Sequence, residues 1–346
     1  MNQIHGTPRA EPFVPLQSAF AKRRLPAAPG RMHGERSKSV KARELTFSTY
    51  TPPTHHVSKV LAAFCSEVEQ ATSGQIKIVL YYSGTLTKAP QILDGVIKGI
   101  SDFGFSVNGY TAGRFPLMEV ADLPIPVATS EKMSQVCLAT YKKFQPKEFG
   151  QMKVLGFLNM AGGHIGSNKP VSKFSELSGQ LLRCNANEVE ILKALGATPV
   201  AMSMDQAYEA LQKGVVDGTV ADYGAVFSFK LGEVLKNHLE YFVHKATAWY
   251  GMNLNTYNSL SPAQQKIIVD LGEKYTAIVG RSRDEEYIKG RKYLVDLGRS
   301  FFKLSAEEEQ KWTAALAPLL EKYVKEKTAI GLPAKEALDF VLAAVK

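Results

Sequence analysis

The side chains that most often carry chemistry are sparse and scattered in this sequence. The three cysteines, Cys65, Cys137 and Cys184, form neither a CxxC pair nor a disulfide framework. His55-His56 and His164 lack cysteines or carboxylates at the spacing of a metal site, so we expect a turn pair and a polar loop residue. The GxxxxGKS/T, GxSxG and HExxH motifs are absent. The sequence therefore predicts no metal, no cofactor and no recognisable catalytic set.

One cation is distinguished by its position. Arg183 lies near the end of a short predicted strand, and Asn185 and Asn187 follow it. A guanidinium presents a planar fork of N–H donors that matches a carboxylate with two hydrogen bonds, and it stays charged. An arginine in such a place is, by itself, more often half of a structural ion pair. The residue types alone leave both interpretations open.

Predicted strands and predicted helices follow one another in turn along most of the chain. The strands are short segments that are apolar or alternate between apolar and polar residues, and the segments between them have helical periodicity. The predicted strands are 45–50, 76–82, 103–107, 153–160, 181–184, 199–202 and 215–220. The predicted helices are 56–72, 92–100, 187–195, 205–213 and 223–235. Strands that alternate with helices indicate an α/β fold with mainly parallel strand pairing.

A much longer helical pattern follows. Ser261-Pro262-Ala263-Gln264 combines a serine N-cap, proline at the first helical position and glutamine at the third. Periodicity then continues to about Leu297, which at 1.5 Å per residue predicts a helix of roughly 54 Å. Gly272, Gly280 and Gly290 argue against an unbroken helix. A long helix that spans two α/β lobes is the simplest use of this segment.

The net charge of +9 is concentrated at the N-terminus. Residues 1–43 contain nine of the 42 basic and two of the 33 acidic residues, so the remainder carries 33 basic and 31 acidic residues. A nearly neutral body attracts phosphate backbones weakly, which excludes a nucleic-acid partner, and we expect the tail to be solvated and disordered. The sequence has no apolar run near the ~18 residues of a membrane span.

The segment around Arg183 resembles a known family. Gly-Ala-Thr-Pro at 196–199 and Tyr-Glu-Ala-Leu-Gln-Lys-Gly-Val-Val-Asp-Gly at 208–218 follow the arginine strand and a helix. These strings resemble the dicarboxylate-type solute-binding proteins of tripartite ATP-independent periplasmic (TRAP) transporters, bacterial solute-binding protein family 7. Segments 45–54, 83–86, 105–116 and 253–260 are also similar, so the resemblance covers about residues 44–320.

The resemblance implies a two-lobed periplasmic-binding-protein (Venus-flytrap) α/β fold, with a long helix spanning both lobes behind a disordered basic tail. The expected parts are a leader at 1–43, lobe I at 44–158 and about 248–285, lobe II at about 159–247 and 286–315, and C-terminal helices at 316–346 that pack on the lobes. It also implies a protein that is not an enzyme. Such a protein captures an organic acid between its lobes and delivers it to small and large TRAP membrane subunits.

The resemblance assigns the carboxylate clamp to Arg183. Some members carry a second arginine after the strand at 153–160, where this chain has Gly163 and His164. We therefore expect either no second clamp or a weaker, pH-sensitive one from His164. The carboxylate of Asp222 would favour a ligand with a hydroxyl or amine. Alternatively, Asp222 caps the next helix. The further ligand-binding candidates, each with a rim or packing role as its alternative, are Thr51, His55, Asn108, Tyr110, Asn185, Met204 and Tyr223.

Periplasmic function requires export, and the leader does not show a usual signal. Lys22-Arg23-Arg24 resembles the charged start of a signal peptide, but residues 25–31 are not an apolar core. We expect either an altered or wrongly assigned leader, or a cytoplasmic protein. Two other functions also stay open: an enzyme acting on a carboxylic acid with the same scaffold, and a receptor that presents its ligand to a sensor protein. A dicarboxylate, a 2-oxo acid, a sugar acid and an aromatic acid all remain candidate ligands.

Overall fold

The computed structural model describes residues 42–346, without the side chains of Ala161 and Val243. The prediction of a disordered tail at residues 1–43 therefore lies almost entirely outside the described residues. Within residues 42–346, no helix is both long and apolar enough to cross a membrane.

Nine strands of residues 42–346 form one mixed sheet. The strands are β1 (Arg43–Thr49), β2 (Ile76–Tyr81), β3 (Phe103–Val107), β4 (Met152–Ser167), β5 (Leu181–Cys184), β6 (Thr198–Ala201), β7 (Gly218–Ala221), β8 (Asn237–Asn253) and β9 (Ser300–Phe302). Their order is β2-β1-β3-β8-β4-β7-β5-β6, with β9 beside β8. Pairing is parallel except where β8 meets β3 and β4 and where β4 meets β7. The prediction of mainly parallel pairing is thus confirmed.

Eleven α-helices are assigned within the described residues. They are α1 (His56–Ala71), α2 (Ile92–Ile97), α3 (Ser130–Phe144), α4 (Val189–Ala194), α5 (Ala207–Gln212), α6 (Tyr223–Ser228), α7 (Leu254–Asn258), α8 (Pro262–Asp296), α9 (Ala306–Leu316), α10 (Pro318–Ala329) and α11 (Ala334–Ala344). The helix expected at 223–235 is shorter than predicted, because Lys230 adopts a left-handed conformation with φ of 57°. The strand predicted at 153–160 continues to Ser167.

Two lobes share the sheet through its two longest strands. One end of β8 pairs with β3 of the first lobe, and its other end pairs with β9. Strand β4 follows β8 throughout and reaches β7 of the second lobe. Its register shifts between Met160 and Gly163 and again before Ile165. Such irregularities bend a strand locally. The lobe boundaries expected at 158/159 and 247/248 fall inside these strands and stay a prediction.

Helix α8 is continuous over 35 residues, so the break suggested by its glycines does not occur. Each glycine instead allows a close approach of backbones. A Cβ would lie 2.6 Å from the Leu155 carbonyl oxygen at Gly272 and 2.6 Å from the Glu131 Cα at Gly280, and at Gly290 it would overlap the Tyr223 carbonyl. The predicted capping box is present, since the Gln264 N–H donates to Ser261 Oγ at 3.3 Å and the Ser261 N–H donates to Gln264 Oε1 at 3.1 Å. One helix therefore packs tightly on both lobes.

Candidate ligand-binding site

A cavity lies between the lobes, where the carboxyl ends of β5 and β7 face the first lobe. The unfilled space, including its mouth, is about 470 Å³. Its lining consists of Tyr50, His55, Val107, Tyr110, Met160, Gly163, Arg183, Asn185, Glu188, Met204, Val220, Ala221, Asp222, Ala225, Phe229, His244 and Ala246. Apolar and aromatic side chains predominate, which is typical of a pocket for a small organic molecule.

Arg183 is the cation that faces this cavity without an acidic partner. Its side chain is buried, with 2% of the residue exposed. Nε and Nη2 donate to the Met202 carbonyl at 3.1 and 2.8 Å, and Nη1 donates to the Val220 carbonyl at 3.4 Å. A guanidinium has five N–H groups, so one on each terminal nitrogen remains free of the described residues. A carboxylate in the cavity is a suitable acceptor for these two N–H groups.

The electrostatics of Arg183 favour an anion at these N–H groups. No carboxylate of the described residues lies within ion-pair distance of its guanidinium, although the side chain is buried. A buried charge without a counter-charge is costly, and carbonyl oxygens compensate it only in part. The interpretation of Arg183 as half of a structural ion pair is therefore not supported by this geometry.

The first lobe contributes an aromatic wall opposite the arginine. Tyr50 and Tyr110 pack edge to face at 5.3 Å, and the Tyr110 hydroxyl accepts the Met204 N–H of the second lobe at 3.0 Å. Burial raises the pKa of both phenols, so both are neutral. His55 packs edge to face on Phe229 of the second lobe at 5.6 Å. These contacts join the lobes around the cavity.

His55 is held as a neutral imidazole. It is the N-cap of α1, and its Nδ1 accepts the Val57 N–H at 3.1 Å. A protonated Nδ1 could not accept this bond. Burial lowers the pKa of His55 to about 3. The ring therefore presents Nε2–H to the cavity as a neutral donor.

A polar wall lies beside Arg183. Glu188 Oε1 lies 2.6 Å from His244 Nε2, and both side chains are buried. Asn185 donates its side-chain amide to the same carboxylate, and its backbone N–H donates to Oε2 at 2.9 Å. The carboxylate of Glu188 is thus largely engaged by protein donors.

Asp222 fulfils the capping role and still reaches the cavity. Its Oδ1 accepts the Ala225 N–H at 2.6 Å at the start of α6 and lies 2.5 Å from Nη2 of Arg283. Arg283 belongs to α8 and is buried behind the cavity wall, with 1% of its side chain exposed. Two distant parts of the chain therefore meet at this carboxylate.

Two candidates in the first lobe lie outside the cavity lining. Thr51 and Asn108 do not line the cavity. The Thr51 hydroxyl lies 2.8 Å from Thr49 Oγ1 and 2.7 Å from Ser58 Oγ, so it ties the loop to α1. Asn108 begins the 3₁₀ turn Asn108–Tyr110, and only Val107 and Tyr110 of this segment reach the cavity.

His164 and Tyr223 are also placed elsewhere. Because side chains alternate along a strand, Gly163 faces the cavity and His164 points away from it. Its Nε2 lies 2.7 Å from the Tyr287 hydroxyl, and its Nδ1 lies 3.1 Å from the Tyr241 carbonyl. Tyr223 stacks on the His164 ring at 4.7 Å. The geometry provides no second basic clamp from His164.

Several lining residues were missed by the sequence reasoning, among them Tyr50, Glu188, Phe229 and His244, together with Arg283 behind the wall. Glu188 carried a usable signal, because Asn185-x-x-Glu188 is a capping-box pattern, and this box is present. His244 lies on β8, which was not predicted. Within residues 42–346 we find no group of three or more histidine, cysteine or acidic residues that could hold a metal ion.

Four buried histidines make the fold sensitive to acid. Burial lowers the pKa of His55 to about 3 and those of His164 and His238 to about 4, and it also lowers the pKa of His56. Unfolding returns each group toward a pKa of about 6.5. Between pH 6 and 5 the unfolded chain therefore binds about three to four more protons at these sites than the folded chain, which reduces stability as the pH falls.

Two buried acids oppose this effect, because burial raises the pKa of Asp122 to about 6 and that of Glu148 to about 7. The net difference is about two protons, so acidification from pH 6 to 5 should lower the free energy of unfolding by roughly 2–3 kcal/mol. Urea titrations at constant ionic strength measure this change. His238→Phe, which removes one histidine, should reduce the loss by roughly half. A stability that is flat or rises on acidification would contradict the prediction.

The fold and the cavity define a two-lobed solute-binding protein of the periplasmic-binding-protein class. A model of the family described as bacterial extracellular solute-binding protein, family 7 (DctP), matches residues 47–327. The chain therefore belongs to this family, and it is a TRAP solute-binding protein rather than an enzyme.

Individual relatives agree with this assignment. The C4-dicarboxylate-binding periplasmic protein DctP of Rhodobacter capsulatus is 25% identical over 307 residues, which are 85% of this chain and 90% of that protein. A TRAP solute-binding protein from Rhodoferax ferrireducens, solved with copurified benzoate, is 26% identical with a TM-score of 0.84, over 88% of this chain and 98% of that one. A marine-metagenome TRAP protein specific for aromatic acids, solved with 3-hydroxybenzoate, is 28% identical with a TM-score of 0.84, over the same shares.

Proposed function

We propose that this protein binds a small monocarboxylic acid with an apolar body in the interlobe cavity. The observation that carries the proposal is the buried guanidinium of Arg183, which keeps two N–H groups free at the cavity and has no acidic partner among the described residues. The aromatic wall of Tyr50, Tyr110 and Phe229 suits the apolar body of such a ligand. The benzoate and 3-hydroxybenzoate of the two structural relatives are acids of this kind.

The charges of the cavity support one carboxylate rather than two. Apart from Arg183, the charged groups that line it are Glu188 and Asp222, and the basic partners of these acids are already engaged. A second ligand carboxylate would meet two acidic side chains and, among residues 42–346, no further unpaired cation in the cavity lining. Like charges brought together in a poorly solvated site cost several kcal/mol. A dicarboxylate is therefore disfavoured.

Capture is proposed to proceed by closure of the lobes. Hydrogen bonds join the two lobes in this structure: Tyr110, in the cavity wall, accepts the Met204 N–H at 3.0 Å, and Asn187 Nδ2 donates to Asp122 Oδ2 at 2.6 Å. A ligand that contacts both lobes stabilises this arrangement by its differential affinity for it. The bend in β4 and β8 is where the lobes would rotate.

Delivery to membrane subunits completes the proposed function. We propose that the ligand-bound protein acts outside the cytoplasm, in the periplasm, and hands its acid to small and large TRAP membrane subunits. Membership of an extracellular solute-binding family supports this role. Uptake into vesicles containing those subunits tests delivery, and mass spectrometry of the mature N-terminus from fractionated cells tests the location.

A panel of acids tests the ligand class. Benzoate, phenylacetate, mandelate and 3-hydroxybenzoate would be compared with succinate, malate and galactonate by thermal shift, followed by calorimetry. At about 100 times its Kd a ligand adds about 2.7 kcal/mol of stability, which corresponds to a rise in Tm of about 5 °C. We expect this rise with at least one monocarboxylate. A larger rise with a dicarboxylate, or none with any acid, would refute the proposal.

A further inference from the structure

The Asp222 carboxylate is only partly used by the protein. Both of its known contacts, the α6 cap and the ion pair with Arg283, involve Oδ1. No described N–H or O–H donates to Oδ2, and this oxygen is not among the polar atoms sealed inside the protein without a partner. Because Asp222 lines the cavity and only 6% of the residue is exposed, Oδ2 is an acceptor that faces the ligand space.

The position of this acceptor relates it to the carboxylate clamp. Arg183 lies on β5 and pairs in register with Thr219 of the neighbouring β7, and Asp222 directly follows β7. The arginine donates to the Val220 carbonyl on the same strand. A ligand held by Arg183 therefore lies at the strand ends where Oδ2 is exposed.

We propose that Asp222 Oδ2 accepts a hydrogen bond from a hydroxyl group of the ligand, so that the protein prefers hydroxylated monocarboxylic acids over their unsubstituted parents. This inference rests on the proposed binding of a monocarboxylate at Arg183. Hydrogen bonds to an ionised acceptor are stronger than neutral ones, and an acceptor left unsatisfied in a closed cavity is costly.

The charge of the neighbourhood decides between a hydroxyl and an ammonium group. Arg283 already neutralises Asp222, and its guanidinium lies over the Tyr287 ring at 5.9 Å. The ligand carboxylate neutralises Arg183. A ligand ammonium would add an uncompensated positive charge, whereas a hydroxyl donates to Oδ2 without changing the charge. Arg283 thus compensates the charge of Asp222, which leaves Oδ2 as an acceptor suited to a neutral donor.

Ligand pairs that differ in one group test this inference on the wild-type protein. Calorimetry would compare mandelate with phenylacetate and phenylglycine, and 3-hydroxybenzoate with benzoate and 3-fluorobenzoate, in which fluorine replaces the hydroxyl without donating. We expect mandelate to bind roughly 10-fold or more tightly than phenylacetate, or 3-hydroxybenzoate to bind roughly 10-fold or more tightly than benzoate and 3-fluorobenzoate. Equal affinities within both sets, or tighter binding of phenylglycine than of mandelate, would overturn the inference.

Variants then locate the acceptor. Asp222→Asn keeps an oxygen for the α6 cap and removes the charge, and it should reduce the hydroxyl preference to roughly 3-fold or less. Asp102→Asn is the control for a carboxylate changed to an amide away from the cavity, since Asp102 accepts from Thr46 and Thr256 and does not line the cavity, and the preference should persist in it. A hydroxyl preference that survives Asp222→Asn would reject Asp222 as the acceptor. Failure of every acid to bind would instead reject the proposed function.

Discussion

Replacing Arg183 with alanine is expected to weaken binding of the carboxylic acid by roughly 30-fold to several thousand-fold. Removing one partner of a desolvated charge pair costs about 2–5 kcal/mol, and about 1.4 kcal/mol corresponds to tenfold in Kd. Arg183→Lys should recover only part of the loss, because an ammonium keeps the charge but not the planar fork. Calorimetry with the tightest acid of the panel measures both variants.

Arg299→Ala is a suitable control for this experiment. Arg299 also donates to backbone carbonyls of the second lobe, those of Gly232 at 2.8 Å and Glu233 at 3.4 Å, but it does not line the cavity. We expect Arg299→Ala to lower Tm modestly and to leave Kd unchanged. If Arg183→Ala bound the acid as tightly as the wild type, Arg183 would not be the clamp.

Gly290→Ala is expected to destabilise the protein by about 2–4 kcal/mol. In an ordinary exposed helix this change would stabilise by about 1 kcal/mol, because alanine has the higher helix propensity. At Gly290 the new methyl group would overlap the Tyr223 carbonyl, where α8 rests on the backbone at the start of α6. A loss of stability in Gly290→Ala, rather than a gain, therefore indicates that α8 contacts the Tyr223 backbone at this position. Urea unfolding at pH 7 measures it.

Ile288→Ala provides the reference on the same helix, since Ile288 is 71% exposed and should change stability by no more than about 0.5 kcal/mol. A Gly290→Ala variant as stable as the wild type would show that α8 and α6 can separate at little cost. Such a result would contradict the close packing of the long helix on the second lobe.

Patterns local to the chain were sufficient for much of the fold. The i, i+3, i+4 spacing of apolar residues predicted α1 to within one residue, and the strands at 103–107 and 181–184 agree with the structure in both bounds. The capping box at Ser261 identified the start of α8. These signals are readable because hydrophobic periodicity and backbone capping depend on neighbours within a turn or a strand.

Strand β8 shows why the rest was not predicted. It contains His238, Glu240, His244 and Lys245, and it therefore lacks the pattern of a buried strand. Its 17 residues form a strand because β3, β4 and β9 pair with successive parts of it. Pairing partners supplied by distant segments override a weak local preference.

The sequence by itself determined the family and the alternating α/β elements, and it singled out Arg183 as the proposed acid-binding residue, because each depends on residues close together in the chain. Only the tertiary structure decided that Gly163 rather than His164 faces the cavity, that Arg183 has no acidic partner within residues 42–346, and that Arg283 meets Asp222. Burial and charge pairing arise between segments that are distant in sequence, so no local pattern records them.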